Sequence, residues 1–263
     1  MKSAKFTKTA ASVALFALAA CLSQKPALAG GAEGNPGVLP PNSHAYGMTY
    51  GEWSAEHWQW LYSLQVSQNP LFQDGAVDLS LNQPDGPVWF LGGTFTTTPT
   101  PSGGVIGTAH RSGQVPPGKA LFFPIIDSEW DNAVPPGTPP TDFTTAELRA
   151  NAAATIDAET GLACEIDGVS VKGLANVLTT HYRVTSPVFD YTLPLTDNVD
   201  QFFGFDITGT VTGAVADGVY LMLAPLKVGH HNIHFTGALP GFVLDITYDI
   251  TVAPKGHDDK DDD

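Results

Sequence analysis

The chain is poor in cysteine and in positive charge. Its 263 residues hold only Cys21 and Cys164, and 12 Lys and Arg stand against 27 Asp and Glu, for a formal net charge of −15. With Cys21 inside a leader-like segment, no intramolecular disulfide can be drawn. A field of this sign repels phosphate backbones and anionic bilayers, so nucleic acid is excluded as a partner. No apolar run reaches the roughly 20 residues that span a bilayer, so no transmembrane segment is expected in the mature chain. Signatures of common catalytic sites are missing as well: there is no G-x-S-x-G, no H-E-x-x-H and no P-loop.

The first residues give an address. Lys2, Lys5 and Lys8 precede an uncharged apolar run from Thr9 to Leu22, and Ala27-Leu28-Ala29 follows. This is the pattern of a cleaved secretory signal, with Gly30 as the new N-terminus. Leu18-Ala19-Ala20-Cys21 reads alternatively as a lipobox, with Cys21 lipidated. Loss of the leader removes four lysines and no acid, which makes the mature charge more negative still. The expected location is secreted or periplasmic, or lipid-anchored to the outer face of a membrane if Cys21 is processed.

Residues 30–45, rich in Gly, Pro and Asn, read as a flexible lead-in. Residues 46–253 suffice for one domain, and the Pro-rich stretch 133–141 reads as a loop within it. Residues 254–263 form an acidic tail expected to be disordered. Two helices are marked by capping boxes. Thr49 with Glu52 opens one that carries Trp53, His57, Trp60, Leu61 and Leu64 on one face. Thr144 with Glu147 opens another over about Thr145 to Ala158. Short strands separated by Gly and Pro turns make up the rest, among them Val105–His110, Ala120–Ile126, Phe203–Val215, Gly218–Ala224 and Phe242–Val252. Asp167-Gly168 marks a hairpin. The pattern predicts a mainly β protein, an antiparallel β-sandwich of Ig-like or jelly-roll-like type with two α-helices. Alternation in Leu162–Ile166 puts Cys164 on an inward face as an unpaired core thiol.

Four stretches, Tyr46-Gly-Met-Thr-Tyr-Gly-Glu-Trp-Ser-Ala-Glu-His-Trp-Gln-Trp60, Gly86-Pro-Val-Trp-Phe-Leu-Gly-Gly-Thr94, Pro117-Gly-Lys-Ala-Leu-Phe-Phe-Pro-Ile125 and Gly229-His-His-Asn-Ile-His-Phe235, carry a resemblance. Together they resemble a family of uncharacterised secreted microbial proteins over nearly all of residues 46–252. The resemblance implies export and a common fold, and it brings no activity. Relatives often carry Trp in place of His57, and some carry cysteines in place of Gly113 and Trp130. If those cysteines are bridged in relatives, this chain lacks the bridge.

Three clusters hold residues of the right chemistry for a site. On the first helix, Glu52 and Glu56 lie at i,i+4 beside Trp53, His57, Trp58 and Trp60, the mix of carboxylates and indoles that a sugar cleft uses. The plainer reading docks the indoles on a sheet and leaves the carboxylates in water. Asp127, Glu129 and Asp131 alternate after a strand and could hold calcium, with Asp197, Asp200 and Asp206 as the other acidic candidates; the plainer reading is a solvated acidic loop. His230, His231 and His234 lack the His-x-His spacing, since His230 and His234 would stand about 13 Å apart on a strand. No cofactor other than possible calcium is expected. The reading leans to a non-enzymatic binding or envelope-associated role, with an extracellular glycan or envelope component as partner. The alternative is a glycoside-type hydrolase using carboxylates among Glu52, Glu56, Asp127 and Glu129.

Overall fold

A computed structural model describes residues 35–134 and 142–254. The leader with Cys21 and Ala29, most of the Pro-rich stretch and nearly all of the acidic tail lie outside the described residues. Two packed β-sheets form a sandwich. The larger sheet has the order β1 (Gly75–Ala76), β4 (Val105–Val115), β12 (Phe242–Val252), β11 (Gly229–Leu239), β6 (Gly161–Ile166), β7 (Val169–Ser170), with β3 (Thr98–Pro99) also on β4. The smaller has the order β2 (Val88–Phe90), β5 (Ala120–Trp130), β10 (Gly209–Leu223), β8 (Arg183–Thr185), with β9 (Phe189–Leu193) on a separate stretch of β10. The helices are α1 (Tyr50–Tyr62), α2 (Thr145–Asp157) and the short α3 (Val199–Phe202).

The sandwich is mixed where a purely antiparallel one was expected. β4 runs parallel to β12 along its whole length, β2 parallel to β5, and β1 parallel to β4. Side chains alternate with period two in either direction of pairing, so alternation carries no information about direction. Two further boundaries differ from the sequence reading. Phe203–Val215 and Gly218–Ala224 are not two strands: β10 is continuous from Gly209 to Leu223, and the chain before it holds α3 and a turn. The lead-in is not free over its described part either. Val38 and Leu39 are buried, Leu39 N–H donates to the Met222 carbonyl at 2.8 Å, and the Tyr50 hydroxyl donates to the Leu39 carbonyl at 2.6 Å. Apolar Val38-Leu39 between glycine and prolines was enough to add a segment to the core.

The capping boxes are present at both α1 and α2. α1 lies on the smaller sheet so closely that a side chain at Gly51 would overlap the Thr185 carbonyl. Its indoles are core. Trp53, Trp58 and Trp60 are buried, and their N–H groups donate to the Ala45 carbonyl, the Tyr220 hydroxyl and the Leu81 carbonyl. Between the sheets, Phe123 of β5 meets Phe235 of β11 at 5.2 Å. Cys164 is buried beside Ile166, and burial raises its thiol pKa to about 12, which makes it a poor nucleophile.

Arg111 is a structural residue that no motif announced. It is fully buried in β4 and forms no ion pair among the described residues. Carbonyl groups take the place of a carboxylate: Nε donates to Gln73 at 2.9 Å and Nη1 to Gly93 at 2.8 Å. Nη1 also donates to the Tyr248 hydroxyl at 3.0 Å, and that hydroxyl donates to the Gly92 carbonyl. The Gly92-Gly93 bend is thereby tied to the larger sheet.

Candidate functional site

A β-bulge creates the most unusual site in the molecule. Along β10 and β5, Tyr220 pairs with Pro124 but Val219 pairs with Ile126, so Ile125 is an extra residue without a partner. Before it, Phe122 faces α1, meeting Tyr50 and His57. An inserted residue reverses the alternation. After it, Asp127, Glu129 and Asp131 therefore turn toward the same side as α1, and each takes a tyrosine. The Tyr220 hydroxyl donates to Asp127 at 3.0 Å, Tyr62 to Glu129 at 2.9 Å, and Tyr191 to Asp131 at 2.5 Å. Gly218 makes room, because a Cβ there would lie 2.6 Å from the Asp127 Cβ and 2.8 Å from the Tyr220 ring.

From the sequence, Asp127, Glu129 and Asp131 are expected to be calcium ligands or part of a solvated acidic loop. Asp127 and Glu129 are instead strand residues with enclosed carboxyl groups, and the three do not converge. Asp127 lines a small inner cavity of about 140 Å³ with His57 and Trp58. Burial raises its pKa to about 7 against the opposing effect of the Tyr220 hydrogen bond. Glu129 and Asp131 line a separate open pocket of about 530 Å³ with Tyr62, Tyr191, Asp200 and Phe205. Alternate strand positions are about 6.6 Å apart, too far for three carboxylates in a row to wrap one ion without a turn. Among the described residues, no group of three or more His, Cys, Asp or Glu is placed to hold a metal ion.

Within the open pocket, Tyr62 and Tyr191 stack at 4.1 Å and form one wall. Asp131 has both oxygens occupied, by the Ala133 N–H at 2.6 Å and by Tyr191. Glu129 accepts from Tyr62 through Oε2, whereas Oε1 is enclosed and receives no donor. The Asp131 carboxylate shares the pocket with Glu129 and its charge acts on it. Two carboxyl groups held in one partly buried pocket repel when both are ionised, and a proton or a cation relieves that repulsion. Burial, then the Asp131 charge, holds Glu129 well above the usual carboxylate range. Asp200 is raised to about 6 by burial and by Asp131. Sequence reading placed Asp131 and Asp200 in different clusters; the fold brings them to one pocket.

The remaining candidates are dispersed. Glu52 is exposed and bound in its capping box, and Glu56 is exposed on the same helix. Neither faces another carboxylate across a cleft lined by indoles, because the indoles point inward. His57 is fully buried; Nε2 hydrogen-bonds the Leu91 carbonyl at 2.8 Å, and burial lowers its pKa to about 4, so it is neutral and structural. Asp197 accepts from the backbone and hydroxyl of Ser67, and Asp206 is exposed. On the outer face of the larger sheet, His234 pairs with Asp245 and His230 with Thr251, while His231 pairs with Asp167. Burial would lower the His231 pKa, but the Asp167 bond and the Lys227 carbonyl outweigh it and raise it. A larger cleft of about 660 Å³ beside Val77, Trp89 and Gln114 has Asp78 as its one titratable lining residue, and Asp78 is tied to Ser80.

Comparison with protein-family models and with curated proteins finds no match for the chain.

Proposed function

We infer that the protein is an exported, non-catalytic binding protein whose recognition site is the Glu129–Asp131–Asp200 pocket and whose ligand presents an organic cation. One observation carries this reading: the enclosed Oε1 of Glu129 receives no donor, and it shares its pocket with an Asp131 whose own oxygens are already used. Such a pair holds a proton when empty, and an ammonium or guanidinium group can take over that proton's role. Phe205, half exposed at the pocket, offers a ring face, and ring faces attract cations. The net negative charge of the chain steers them inward. Export rests on the leader pattern and on the resemblance to a secreted family; no helix among the described residues is long and apolar enough to cross a membrane. The envelope component or glycan expected as partner is then one that bears a positive group.

The hydrolytic alternative has less support. Glycosidase carboxyl groups stand about 5–9.5 Å apart across the bond to be cut. Glu129 and Asp131 stand side by side along one run of chain and do not face each other across a cleft, Asp127 lies in another cavity, and Glu52 and Glu56 face solvent.

Titration calorimetry with n-butylammonium and with n-butanol tests the reading. The ammonium should bind with release of a proton, seen as a dependence of the heat on buffer ionisation enthalpy. Glu129→Gln and Asp131→Asn should each weaken binding about tenfold or more. Equal behaviour of amine and alcohol would reject it. Release of reducing ends from envelope polysaccharides by the native protein but not by Glu129→Gln would install the hydrolase reading instead.

A further inference from the structure

Beside the acidic pocket, three phenylalanines stand out of the segment that joins β9 to β10. Phe202, Phe203 and Phe205 are 51%, 49% and 50% exposed. They are held in place from below. Phe202 meets Phe72 at 4.6 Å and Phe203 meets Phe95 at 5.6 Å, and both inner rings pack on the core. The segment itself is fastened. Asn198 is fully buried and donates to the carbonyls of Pro194 and Ile207, and Asp197 is bound to Ser67. An apolar patch displayed on a fastened segment marks an interaction surface.

Charge indicates what covers it. Asp200 and Phe205 line the acidic pocket, so patch and pocket are one continuous surface. Asp197 and Asp206 are exposed in the same segment. No Lys or Arg occurs between Lys25 and Arg111, or between Arg183 and Lys227, the stretches that supply both the inner rings and the outer ones. An anionic membrane and a second copy of this acidic chain are both repelled by such a surface.

We propose that this surface docks a polypeptide segment carrying basic and apolar side chains together, with one Lys or Arg entering the pocket toward Asp131 and Asp200 while apolar neighbours cover Phe202 and Phe203. The proposal rests on the cation reading of the pocket and adds the class of ligand to it. Aromatic side chains at the centre of an interface, next to a desolvated charge pair, are the usual anchors of peptide binding.

Fluorescence anisotropy with three labelled decapeptides on the full mature chain tests it: one of Lys, Leu and Gly, one with Ser in place of Leu, and one with Glu in place of Lys. The Lys/Leu peptide should bind, and both controls should bind about tenfold more weakly or worse. Phe203→Ser and Asp200→Asn should each weaken the Lys/Leu peptide by a similar factor. Both positions are at least partly exposed, and a circular-dichroism melt checks that the variants fold. Equal binding of the Lys/Leu and Lys/Ser peptides would overturn the proposal, as would binding indifferent to Phe203→Ser. Dimerisation that hides the patch, or sedimentation with zwitterionic vesicles lost in Phe203→Ser, would overturn it in favour of those occupants. If butylammonium binds and the Lys/Leu peptide does not, this inference fails and the pocket reading stands. If the peptide depends on Phe203 but not on Asp200, this inference fails at its basic anchor, and the butylammonium titration decides the pocket reading separately.

Discussion

Helix α1 and strand β5 both carry carboxylates at a regular spacing, and the two sets have opposite fates. On α1, Glu52 and Glu56 follow the helical period and stay in water, because the other face of the helix is filled by Trp53, Trp58 and Trp60. On β5, Asp127 and Glu129 follow the strand period, and Asp131 continues it just past the strand end. One unpaired residue, Ile125, reverses which face that period presents. The same chemical groups are thus solvated in one place and enclosed with tyrosines in the other. Spacing alone does not make a site; the side that the spacing faces does.

The sharpest way to break this contrast is to fill the space that lets β5 turn its carboxyls inward. Gly218→Val would set methyl groups against Asp127 and the Tyr220 ring. Overpacking of this kind costs about 3 kcal/mol, and a urea melt should show it. An unchanged midpoint would mean that Asp127 is not enclosed as described.

A smaller effect separates the two sets by pH. Asp127 has a pKa of about 7 in the folded protein, above the ordinary carboxylate value of about 3.9. A raised folded pKa means that the acid form favours the native state. Its contribution is full below about pH 4 and is lost as pH rises through 7. Asp127→Asn should therefore gain stability relative to the native sequence between pH 4 and pH 8. His57 acts in the opposite direction, since its depressed value of about 4 adds stability above the ordinary imidazole range that is lost as pH falls toward 4. His57 is common to both proteins and cancels in the difference. A difference in urea midpoint that does not vary with pH would contradict the assignment.

On α1 the effects are smaller again. Thr49→Ala removes the cap that accepts from the Glu52 N–H, for about 1 kcal/mol. Glu56→Gln should leave the melting temperature unchanged. A large loss at Glu56 would show that the helix face taken as solvated is a contact surface.

The contrast also explains what could be read from the sequence. The capping boxes at Thr49 and Thr144 are local, involve residues three apart, and mark both long helices within a residue or two. Alternation in Phe242–Val252 identifies the buried row Leu244, Ile246, Tyr248 and Ile250, because a single face is apolar. The bulge is hidden inside the apolar run Phe122-Phe-Pro-Ile-Ile126, where every residue is buried and no alternation exists to be interrupted. Parity after it could not be followed, so the acidic stretch read as a loop. Asp200 and Tyr191 reach the pocket from strand and helix ends far along the chain, a juxtaposition that only the sheet topology supplies. Arg111 lies just past the strand expected at Val105–His110, so the alternation of that strand does not reach it. Its burial depends on carbonyl groups of Gln73 and Gly93, which carry no side-chain signal.

The central claim is that Glu129, beside Asp131, holds a proton that a cation can replace. Carboxyl ¹³C NMR titration of Glu129, assigned by its disappearance in Glu129→Gln, measures this at the atom concerned. The account predicts a midpoint well above the ordinary glutamate range in the free protein, and a downward shift of that midpoint when n-butylammonium is added. A midpoint in the ordinary range, or one that n-butylammonium does not move, would contradict it.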